Sequence, residues 1–430
     1  MPERRDEPER RDERPKAPPL PSIRLSAYES VVGEAEIEQI YTLAKPLVGS
    51  RIQHLSSTYT GGGVAELLAR LVPLMRDVGL EATWDVITAQ RAFFQVTKDF
   101  HNALHGAYEE ILPEHYSTYL ETTRKNLGLV SSVADFVVTH DPQTAGLVEA
   151  REPARKQFWL WRCHIDLAEA DPRVWGFLRS FVERHDASIF HLAESGKDLL
   201  IPQILLTPAI DPLDEKNREL PQEEIEQTVA GFGIDPARPI LLQVSRFDRL
   251  KDPLGVIAAY RMVRKWRDCQ LVLAGGSATD DPEGEEVLAE VRQAAAGDPD
   301  IHVLALPPDS HRTINALQRA ATVIVQKSIR EGFGLVVTEA MWKGKPVVGT
   351  SVGGIRRQIL SGTNGYLAHT TAGVAFRIRE ILSNQGLADR LGRAAKTYVF
   401  ENFVITRYLK SWLLAMHSVR SGARISPTYI

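Results

Sequence analysis

Short, continuous apolar segments alternate with helices along the chain, and this alternation occurs in two separate blocks. The first block predicts strands at residues 51–58, 82–88, 135–141, 158–164, 187–192 and 203–211. The second block predicts strands at residues 239–247, 269–276, 301–306 and 322–328. Such runs are typical of parallel strands that helices cover on both faces. The sequence therefore predicts an α/β protein with two doubly wound, Rossmann-like domains that face each other across a cleft.

The regions outside the two blocks differ from them in composition. Residues 1–21 repeat the sequence PERRDE, are dense in charge and proline, and have almost nothing to bury. We expect a disordered, solvated tail, although a charged tail could also dock a partner. Residues 211–224 are polar and contain two prolines, which indicates the link between the blocks. We therefore predict a tail at 1–21, a first domain at 22–212 and a second domain that begins at residue 213.

Bulk properties exclude several classes of protein. The chain has 430 residues, 43% of them hydrophobic, which is enough for two cores. A net charge of −4 gives no general attraction to nucleic acid, and no apolar run approaches the ~18 residues that span a membrane. The N-terminus lacks the apolar segment of a signal peptide. Cys163 and Cys269 form no Cys-x-x-Cys pair, so neither a structural zinc site nor a disulfide framework is expected. We expect a soluble cytoplasmic protein with no metal site and no nucleic-acid or membrane partner.

Two loops that follow predicted strands carry groups suited to phosphate. Gly61, Gly62 and Gly63 precede a helix, where free backbone N–H groups favour an anion. Their spacing differs from Gly-x-Gly-x-x-Gly, so a nicotinamide site is not supported, and a tight turn explains them equally well. Arg246 and Lys251 follow the first strand of the second block and could hold a diphosphate. Ordinary solvated charge is the alternative for these two cations.

Two further strand ends carry histidine beside aspartate. His164 lies in the segment WRCHIDL, with Asp166 two residues later, and His140 and Asp141 end the segment VVTHD. A lone histidine at a strand end is more often structural. At the edge of a cleft, its imidazole could instead hydrogen-bond a sugar hydroxyl or carry a proton.

The segment IREGFGLVVTEAMWKGKPVV places two glutamates eight residues apart, just after a predicted strand. Glu331 lies in the loop before a helix that is predicted to start at Phe333, and Glu339 is predicted to lie about two turns inside that helix. The amides of Gly332, Phe333 and Gly334 are expected to point into the cleft. Glu331 and these amides could bind a sugar, while Glu339 pairs with a ribose diol. From the residues alone, a capping role for Glu331 and a surface role for Glu339 are the default interpretation.

Several segments resemble a known family. The two glutamates, together with the upstream segment SRFDRLKDP, resemble the retaining glycosyltransferases of the GT-B fold, family 4. Four segments are similar, more narrowly, to the trehalose glycosyltransferring synthases: SSTYTGGGVAELLARLVPLMRDVGL, FFQVTKDFHNALHG, WLWRCHIDL and SRFDRLKDPLGVIAAY. The resemblance covers about residues 34–415. It implies an acceptor-binding domain at 22–212, a donor-binding domain at 213–385, and helices at 386–430 that cross back to the first domain.

The resemblance also implies roles for the matching residues. Glu331 would hold the transferred sugar, Glu339 the nucleoside ribose, and Arg246 and Lys251 the diphosphate. We predict catalytic roles for Glu331, His164, Arg246 and Lys251. Donor contacts are predicted for Gly61, Gly62, Gly63, Arg246, Lys251, Glu331, Gly332, Phe333, Gly334 and Glu339. Acceptor contacts are predicted for His140, Asp141, His164 and Asp166.

The implied reaction transfers glucose from ADP-, UDP- or GDP-glucose to free glucose and gives α,α-trehalose with retention at the donor carbon. No cofactor is expected to be required, and Mg²⁺ is expected to stimulate at most. A trehalose phosphorylase that uses inorganic phosphate is an alternative with similar motifs. A noncatalytic sugar-nucleotide sensor is a second alternative, from another functional class. The preferred nucleotide, the physiological direction and the oligomeric state stay open, with a homodimer among the options.

Overall fold

The computed structural model describes residues 17–60, 62–276 and 282–422. Most of the predicted tail and Gly61 of the predicted glycine turn lie outside the described residues. The strands of the first sheet are β1 (Arg51–Ser56), β2 (Glu81–Val86), β3 (Phe136–His140), β4 (Phe158–Arg162), β5 (Ala187–Phe190) and β6 (Gln203–Leu205). The strands of the second sheet are β7 (Ile240–Val244), β8 (Gln270–Gly275), β9 (Ile301–Ala305), β10 (Val323–Gln326), β11 (Val347–Thr350) and β12 (Tyr366–Ala368).

Helices connect and cover these strands. The helices associated with the first sheet are α1 (Glu29–Val32), α2 (Glu34–Ala44), α3 (Gly63–Asp77), α4 (Arg91–Leu104), α5 (Pro113–Asn126), α6 (Asp141–Ala145) and α7 (Pro172–Val182). Those that follow are α8 (Gln222–Gly231), α9 (Pro253–Arg264), α10 (Pro282–Ala295), α11 (His311–Ala320), α12 (Leu335–Trp342), α13 (Ile355–Gln358), α14 (Thr371–Leu382), α15 (Gln385–Asn402) and α16 (Ile405–Ser421). Short 3-10 helices lie at Leu25–Tyr28, Lys45–Leu47, Leu127–Leu129, Gly146–Ala150, Ala193–Ser195 and Arg249–Lys251.

All neighbouring strands within each sheet are parallel. The first sheet has the order β2-β1-β3-β4-β5-β6 and the second β12-β11-β10-β7-β8-β9. The direction of winding therefore reverses between β1 and β3, and again between β7 and β10. The prediction of two doubly wound sheets is confirmed. Because ligands of such sheets bind beyond the carboxyl ends of the strands at these reversal points, the loops after β1, β3, β7 and β10 are the places for a site.

Each sheet is covered on both faces by apolar side chains. Successive residues of one strand enter opposite clusters, as Val137 and Val138 of β3 do in the first sheet. Leu241 and Leu242 of β7 do the same in the second sheet. This two-sided burial explains why the strands read as continuous apolar runs in the sequence.

Most strands are shorter than predicted, and two of the changed boundaries matter most for the path of the chain and for the site. Strand β6 ends at Leu205 instead of residue 211, and Ile210 pairs instead with Phe403 and Ile405 of the returning chain. Helix α12 starts at Leu335 instead of Phe333, because Gly334 has a φ of +81° and cannot continue a right-handed helix. Glu339 is therefore the fifth residue of α12, about one turn inside the helix and not two.

The chain returns to the first sheet near its C-terminal end. Ile210 donates to the carbonyl of Phe403 at 2.8 Å, and the amide of Ile405 donates back to Ile210 at 2.9 Å. Helix α16 then packs against α2 and α3, with Trp412 fully buried in the core of the first sheet. Helix α15 remains on the second sheet, so the crossing occurs after Phe403 and not near residue 386. Among the residues that the structure describes, no helix has the length and apolar composition needed to cross a bilayer.

Candidate active site

The loops after β7 and β10 are joined at the reversal point of the second sheet. The amide of Ile329 donates to the carbonyl of Leu250 at 2.7 Å. The Asp248 side chain accepts from the amide of Leu250, also at 2.7 Å, and so caps the 3-10 helix Arg249–Lys251. These bonds fix the position of Lys251 beside the loop that carries Glu331.

Lys251 and Glu331 form an ion pair across these two loops. The Lys251 Nζ lies 2.8 Å from Oε1 of Glu331, and the side chains are only 19% and 10% exposed. The other carboxylate oxygen of Glu331 accepts from Ser328 at 3.1 Å and from Gln326 at 3.4 Å. A paired carboxylate with hydrogen bonds to both oxygens is held in one orientation. The sequence predicted both residues for one ligand, and the structure brings them into direct contact.

Arg246 is the more accessible of the two predicted phosphate-binding cations. Its side chain is 66% exposed, and its guanidinium lies 3.8 Å from the carboxylate of Asp248. An exposed pair at that distance is weak. The guanidinium therefore retains donors for a ligand beyond the end of β7.

The segment 332–334 is held by close backbone packing. The amide of Gly354 donates to the carbonyl of Gly332 at 2.8 Å. A Cβ placed on Gly353, which has a φ of +43°, would lie 1.6 Å from the carbonyl oxygen of Glu331. A side chain at position 353 would push Glu331 out of place, so this glycine shapes the site. Sequence reasoning missed it, although the Gly-Gly pair that begins three residues after the end of β11 was a usable signal.

The two halves of the molecule touch around this segment. His191, from the segment after β5, donates through Nε2 to the carbonyl of Gly332 at 2.9 Å. Arg330 forms an ion pair with Glu169 at 3.0 Å. The site is therefore built from both sheets, as the predicted cleft requires.

Glu339 lies in the wall of a cavity between the two halves. It is 4% exposed, and Gln318 donates to its carboxylate at 3.5 Å. The cavity has a volume of about 220 Å³ and is also lined by Arg70, Lys216 and Leu335. The alternative of a surface glutamate is therefore excluded.

Lys343 adds an unusual cation one turn beyond Glu339. Its Nζ donates to the side chain of Asn217 and to the carbonyl of Glu339, both at 3.1 Å. Burial lowers the pKa of Lys343 to about 7, and the charge of Glu339 opposes that shift. The end of α12 is thus a buried polar region and not a solvated face.

His164 and His140 lie at the carboxyl ends of β4 and β3. The Nε2 of His164 lies 3.0 Å from Nδ1 of His140, and Nδ1 of His164 makes no hydrogen bond within the described residues. His164 is half-buried, whereas His140 is only 2% exposed, with both ring nitrogens engaged by other histidines. The sequence predicted that His140 contacts the acceptor. In the structure its ring is buried behind His164, and neither ring nitrogen is free for a ligand.

Asp141 and Asp166 lie near His164. Asp141 starts α6 with a φ of +63°, a strained conformation for a residue other than glycine, and it accepts from the amide of His164 at 2.6 Å. Burial raises the pKa of Asp141 to about 7, opposed by that hydrogen bond and by Arg162. Asp166 accepts from Ser195 at 2.9 Å and from the amide of Ala168 at 3.0 Å. Oδ1 accepts both of these hydrogen bonds, so Oδ2 remains available to a ligand.

Two histidines on α4 and just after it belong to the same region, and sequence reasoning missed them. The ring centroids of His101 and His105 are 4.5 Å apart. The pKa of His101 is lowered to about 3, mainly by burial and then by the charges of His105, Arg246 and Lys251. The His-x-x-x-His spacing, which places two rings on one helix face, was the available signal. Within the described ranges, no group of three or more His, Cys, Asp or Glu side chains is arranged to share a metal ion.

Two variants test whether the glycine turn after β1 belongs to the site. Gly62 has a φ of +95°, and a Cβ there would meet no atom of the described residues within 4 Å, whereas a Cβ on Gly63 would lie 3.3 Å from Leu335 across the cleft. We expect Gly62→Val to lower stability by about 1–3 kcal/mol through backbone strain. Gly63→Val should raise the KM of the substrate bound beneath the turn with a smaller stability loss. Thermal unfolding and steady-state kinetics check both variants, and unchanged kinetics for Gly63→Val would remove the turn from the site.

The pKa of Asp141 predicts the pH dependence of activity. If its carboxylate accepts a hydrogen bond from a substrate hydroxyl, kcat/KM should fall as pH drops below about 7, since the carboxyl group is then protonated. His164 should not contribute, because burial and the charge of Arg162 hold its pKa well below 6.5. The pH profile of kcat/KM checks this. A profile that stays flat between about pH 5.5 and 8 would contradict it.

Family models match both halves of the chain. The model described as "Trehalose synthase, N-terminal domain" matches residues 54–197, and the model described as "Glycosyl transferases group 1" matches residues 224–398. The first match contains β1 and the histidines at the ends of β3 and β4. The second contains β7, β10, Glu331 in the loop before α12, and Glu339 in α12.

Similar proteins match most of the chain. A trehalose synthase from Thermococcus litoralis is 45% identical over 401 residues, which cover 92% of this chain and 97% of the relative. A trehalose phosphorylase from Grifola frondosa is 27% identical over 94% of this chain and 62% of its own length. A solved sucrose-phosphate synthase from Thermosynechococcus elongatus aligns with a TM-score of 0.67 at 18% identity, covering 87% of this chain and 100% of that one. That structural likeness supports the fold alone.

Proposed function

Because the chain belongs to the trehalose synthase family of GT-B glycosyltransferases, we propose that it transfers glucose from a nucleoside-diphosphate glucose to free glucose. The products are α,α-trehalose and the nucleoside diphosphate. We further propose that the reaction is reversible, because it exchanges one bond at the donor C1, to a phosphate oxygen, for another, to a sugar oxygen. The proposed substrates are a sugar nucleotide and an unmodified hexose.

The observation that carries the proposal is the arrangement of the two glutamates around the start of α12. Glu331 is paired with Lys251 at the reversal point of the second sheet, and Glu339 lines the neighbouring cavity of about 220 Å³. A donor that extends from Glu331 to Glu339 would place its glucose at Glu331 and its ribose at Glu339. Its diphosphate would lie near Lys251 and Arg246. Carboxylates suit sugar diols, and the two cations suit a diphosphate.

The acceptor is proposed to bind on the first-sheet side of the same cleft. The unpaired Nδ1 of His164 and the carboxylates of Asp141 and Asp166 offer one nitrogen and two acidic groups for sugar hydroxyls. These residues lie at the ends of β3 and β4 or just beyond them. His191 and Glu169 connect this side to the loop that carries Glu331, so both sugars would be enclosed together.

Retention is proposed to occur through attack on the same face from which the diphosphate leaves. The bond between the donor C1 and the phosphate oxygen breaks, and the acceptor hydroxyl oxygen bonds to C1. Its proton passes to the departing phosphate. Glu331 is already held by Lys251, Ser328 and Gln326, which favours a hydrogen-bonding role over that of a covalent nucleophile. Positive charge at Lys251 and Arg246 would stabilise the charge that develops on the leaving group.

A donor panel tests this function. The protein is incubated with glucose and ADP-, UDP- or GDP-glucose, and sugars are separated by chromatography, with Lys251→Ala as the control of lowered activity. Trehalose formation from at least one donor is expected. In the reverse direction, release of glucose from trehalose with inorganic phosphate but not with a nucleoside diphosphate would indicate a phosphorylase. Binding of sugar nucleotide without turnover over days would indicate a sensor.

A further inference from the structure

Three histidines from three neighbouring strands of the first sheet form one hydrogen-bonded row. The Nδ1 of His54, on β1, lies 3.0 Å from Nε2 of His140, at the end of β3. The Nδ1 of His140 lies 3.0 Å from Nε2 of His164, just beyond β4. His54 is fully buried and His140 nearly so, while His164 is half-buried, and its backbone carbonyl lies close to Gly332 of the other half of the molecule. The row therefore runs from the core to the proposed acceptor site.

A row of neutral imidazoles has a direction. Each ring carries one N–H and one lone pair, so the two hydrogen bonds must point the same way. If His54 donates to His140 and His140 donates to His164, the Nδ1 of His164 carries an N–H towards the cleft. In the opposite direction, His164 presents a lone pair and the Nε2 of His54 carries the last N–H.

The buried end of the row selects between these directions. The Nε2 of His54 has no hydrogen-bond partner among the described residues. Its ring packs edge-on against Trp412 of α16 at 5.5 Å between centroids, and the indole Nε1 is also buried, with no partner in the described part of the chain. A buried N–H without a partner is rarer than an unused acceptor, and an indole offers only a donor. A lone pair at Nε2 of His54 is therefore favoured.

The surroundings keep all three rings neutral. Arg162 is fully buried on β4, and its guanidinium lies beside the hydroxyl of Tyr408 on α16. Burial lowers the pKa of His54 to about 3. Burial first, and then the charge of Arg162 together with that of the neighbouring histidines, lower the pKa values of His140 and His164. The acidic residue nearest to the row in sequence, Asp141, accepts from the amide of His164 and not from its ring.

We propose that His54 and His140 are positioning residues that fix His164 in its Nδ1–H tautomer, so that His164 donates a hydrogen bond to a sugar hydroxyl in the cleft. Neither residue touches the sugar. Trp412 closes the buried end of the row, which makes the returning helix α16 part of the support of the site. The sugar is taken from the proposed function, whereas the tautomer is a property of the protein alone.

Matched variants of His54 give the kinetic test. His54→Leu removes the donor at nearly constant volume, and kcat is expected to fall by about 10- to 100-fold with little change in the KM of the donor. His54→Asn places an amide N–H where Nδ1 was, and should restore kcat to within about threefold of the wild type. His185→Leu is the control, because His185 is equally buried but bonds to Thr139 and to α7 outside the row. It should lower stability without lowering kcat.

A spectroscopic test does not depend on activity. Long-range ¹H–¹⁵N spectra of histidine side chains distinguish Nδ1–H from Nε2–H rings, and His164→Asn assigns the signal of His164. In the unmodified protein His164 should be neutral with Nδ1–H, and in His54→Leu it should become a mixture of tautomers. An Nε2–H or charged His164 in the unmodified protein would overturn the proposal, as would a folded His54→Leu variant with kcat within about threefold of the wild type. If no glucosyl transfer is found at all, the spectra still decide the tautomer.

Discussion

Replacing Lys251 with alanine should lower kcat by roughly 30- to 1000-fold, corresponding to about 2–4 kcal/mol of lost transition-state stabilisation. The ammonium group lies beyond β7, where the departing diphosphate is proposed to gain charge. The variant also leaves Glu331, which is 10% exposed, without its cation, so affinity for the donor should fall too. The KM of free glucose should stay near the wild-type value. Steady-state kinetics with both substrates varied would measure these effects.

The same short helix supplies a matched control. Arg249 precedes Lys251 by two residues, but its guanidinium points to Glu290 at 2.8 Å on the surface. Arg249→Ala removes a positive charge from the same 3-10 helix and should leave kcat unchanged. An equal loss of kcat in both variants would mean that the total charge of the loop matters, and not the position of the Lys251 ammonium group beside Glu331.

Double variants test whether the cations and Glu331 act on one ligand. Lys251→Ala combined with Arg246→Ala should cost less than the sum of the single losses, since both cations are proposed to hold one diphosphate. Lys251→Ala combined with Glu331→Gln should also be less than additive, because the two side chains are in contact. Treatment with EDTA should not abolish wild-type activity. If EDTA abolished activity and added metal restored it, a bound metal ion, and not Lys251 and Arg246, would stabilise the charge of the leaving group.

The sequence predicted the loops of the site better than the contacts within it. Glu331 and Lys251 could both be placed beyond strand ends, because the apolar runs located β7 and β10. Their ion pair joins residues 80 positions apart in the chain. It depends on β7 and β10 being neighbours, and strand order is a property of the whole sheet that no local pattern encodes. The same limit applies to the contact between His191 and Gly332.

Residues hidden inside strands were harder to predict than those in loops. His54 in RIQHLSS and Arg162 in FWLWRCH each interrupt an apolar run, and that interruption was a visible signal. A strand pattern tells which face a residue joins, but not which polar atoms from neighbouring strands meet it there. His140 illustrates the difference: its position at a strand end was predicted correctly, while both of its ring nitrogens are used by other histidines.

Replacing His164 with alanine should lower kcat by about 100-fold, the range found when one hydrogen-bond donor to a developing charge is removed. The Nδ1 of His164, a half-buried residue, makes no hydrogen bond to any of the described residues and is proposed to face the sugar. The substitution also leaves Nδ1 of His140 without its acceptor, so a modest loss of stability is expected as well. Kinetics and thermal unfolding, measured on the same preparations, separate these two effects.

His164→Asn makes this prediction specific to the donor. Its amide nitrogen occupies the place of Nδ1 and can still donate to a sugar hydroxyl, while the bond to His140 is lost. We expect it to recover most of the activity that alanine removes, to within about tenfold of the wild type. An alanine variant that keeps kcat within about threefold of the wild type would make His164 a structural residue. The sugar would then have to be held by Asp141, Asp166 and Glu331, and the row of histidines would serve the packing of α16 alone.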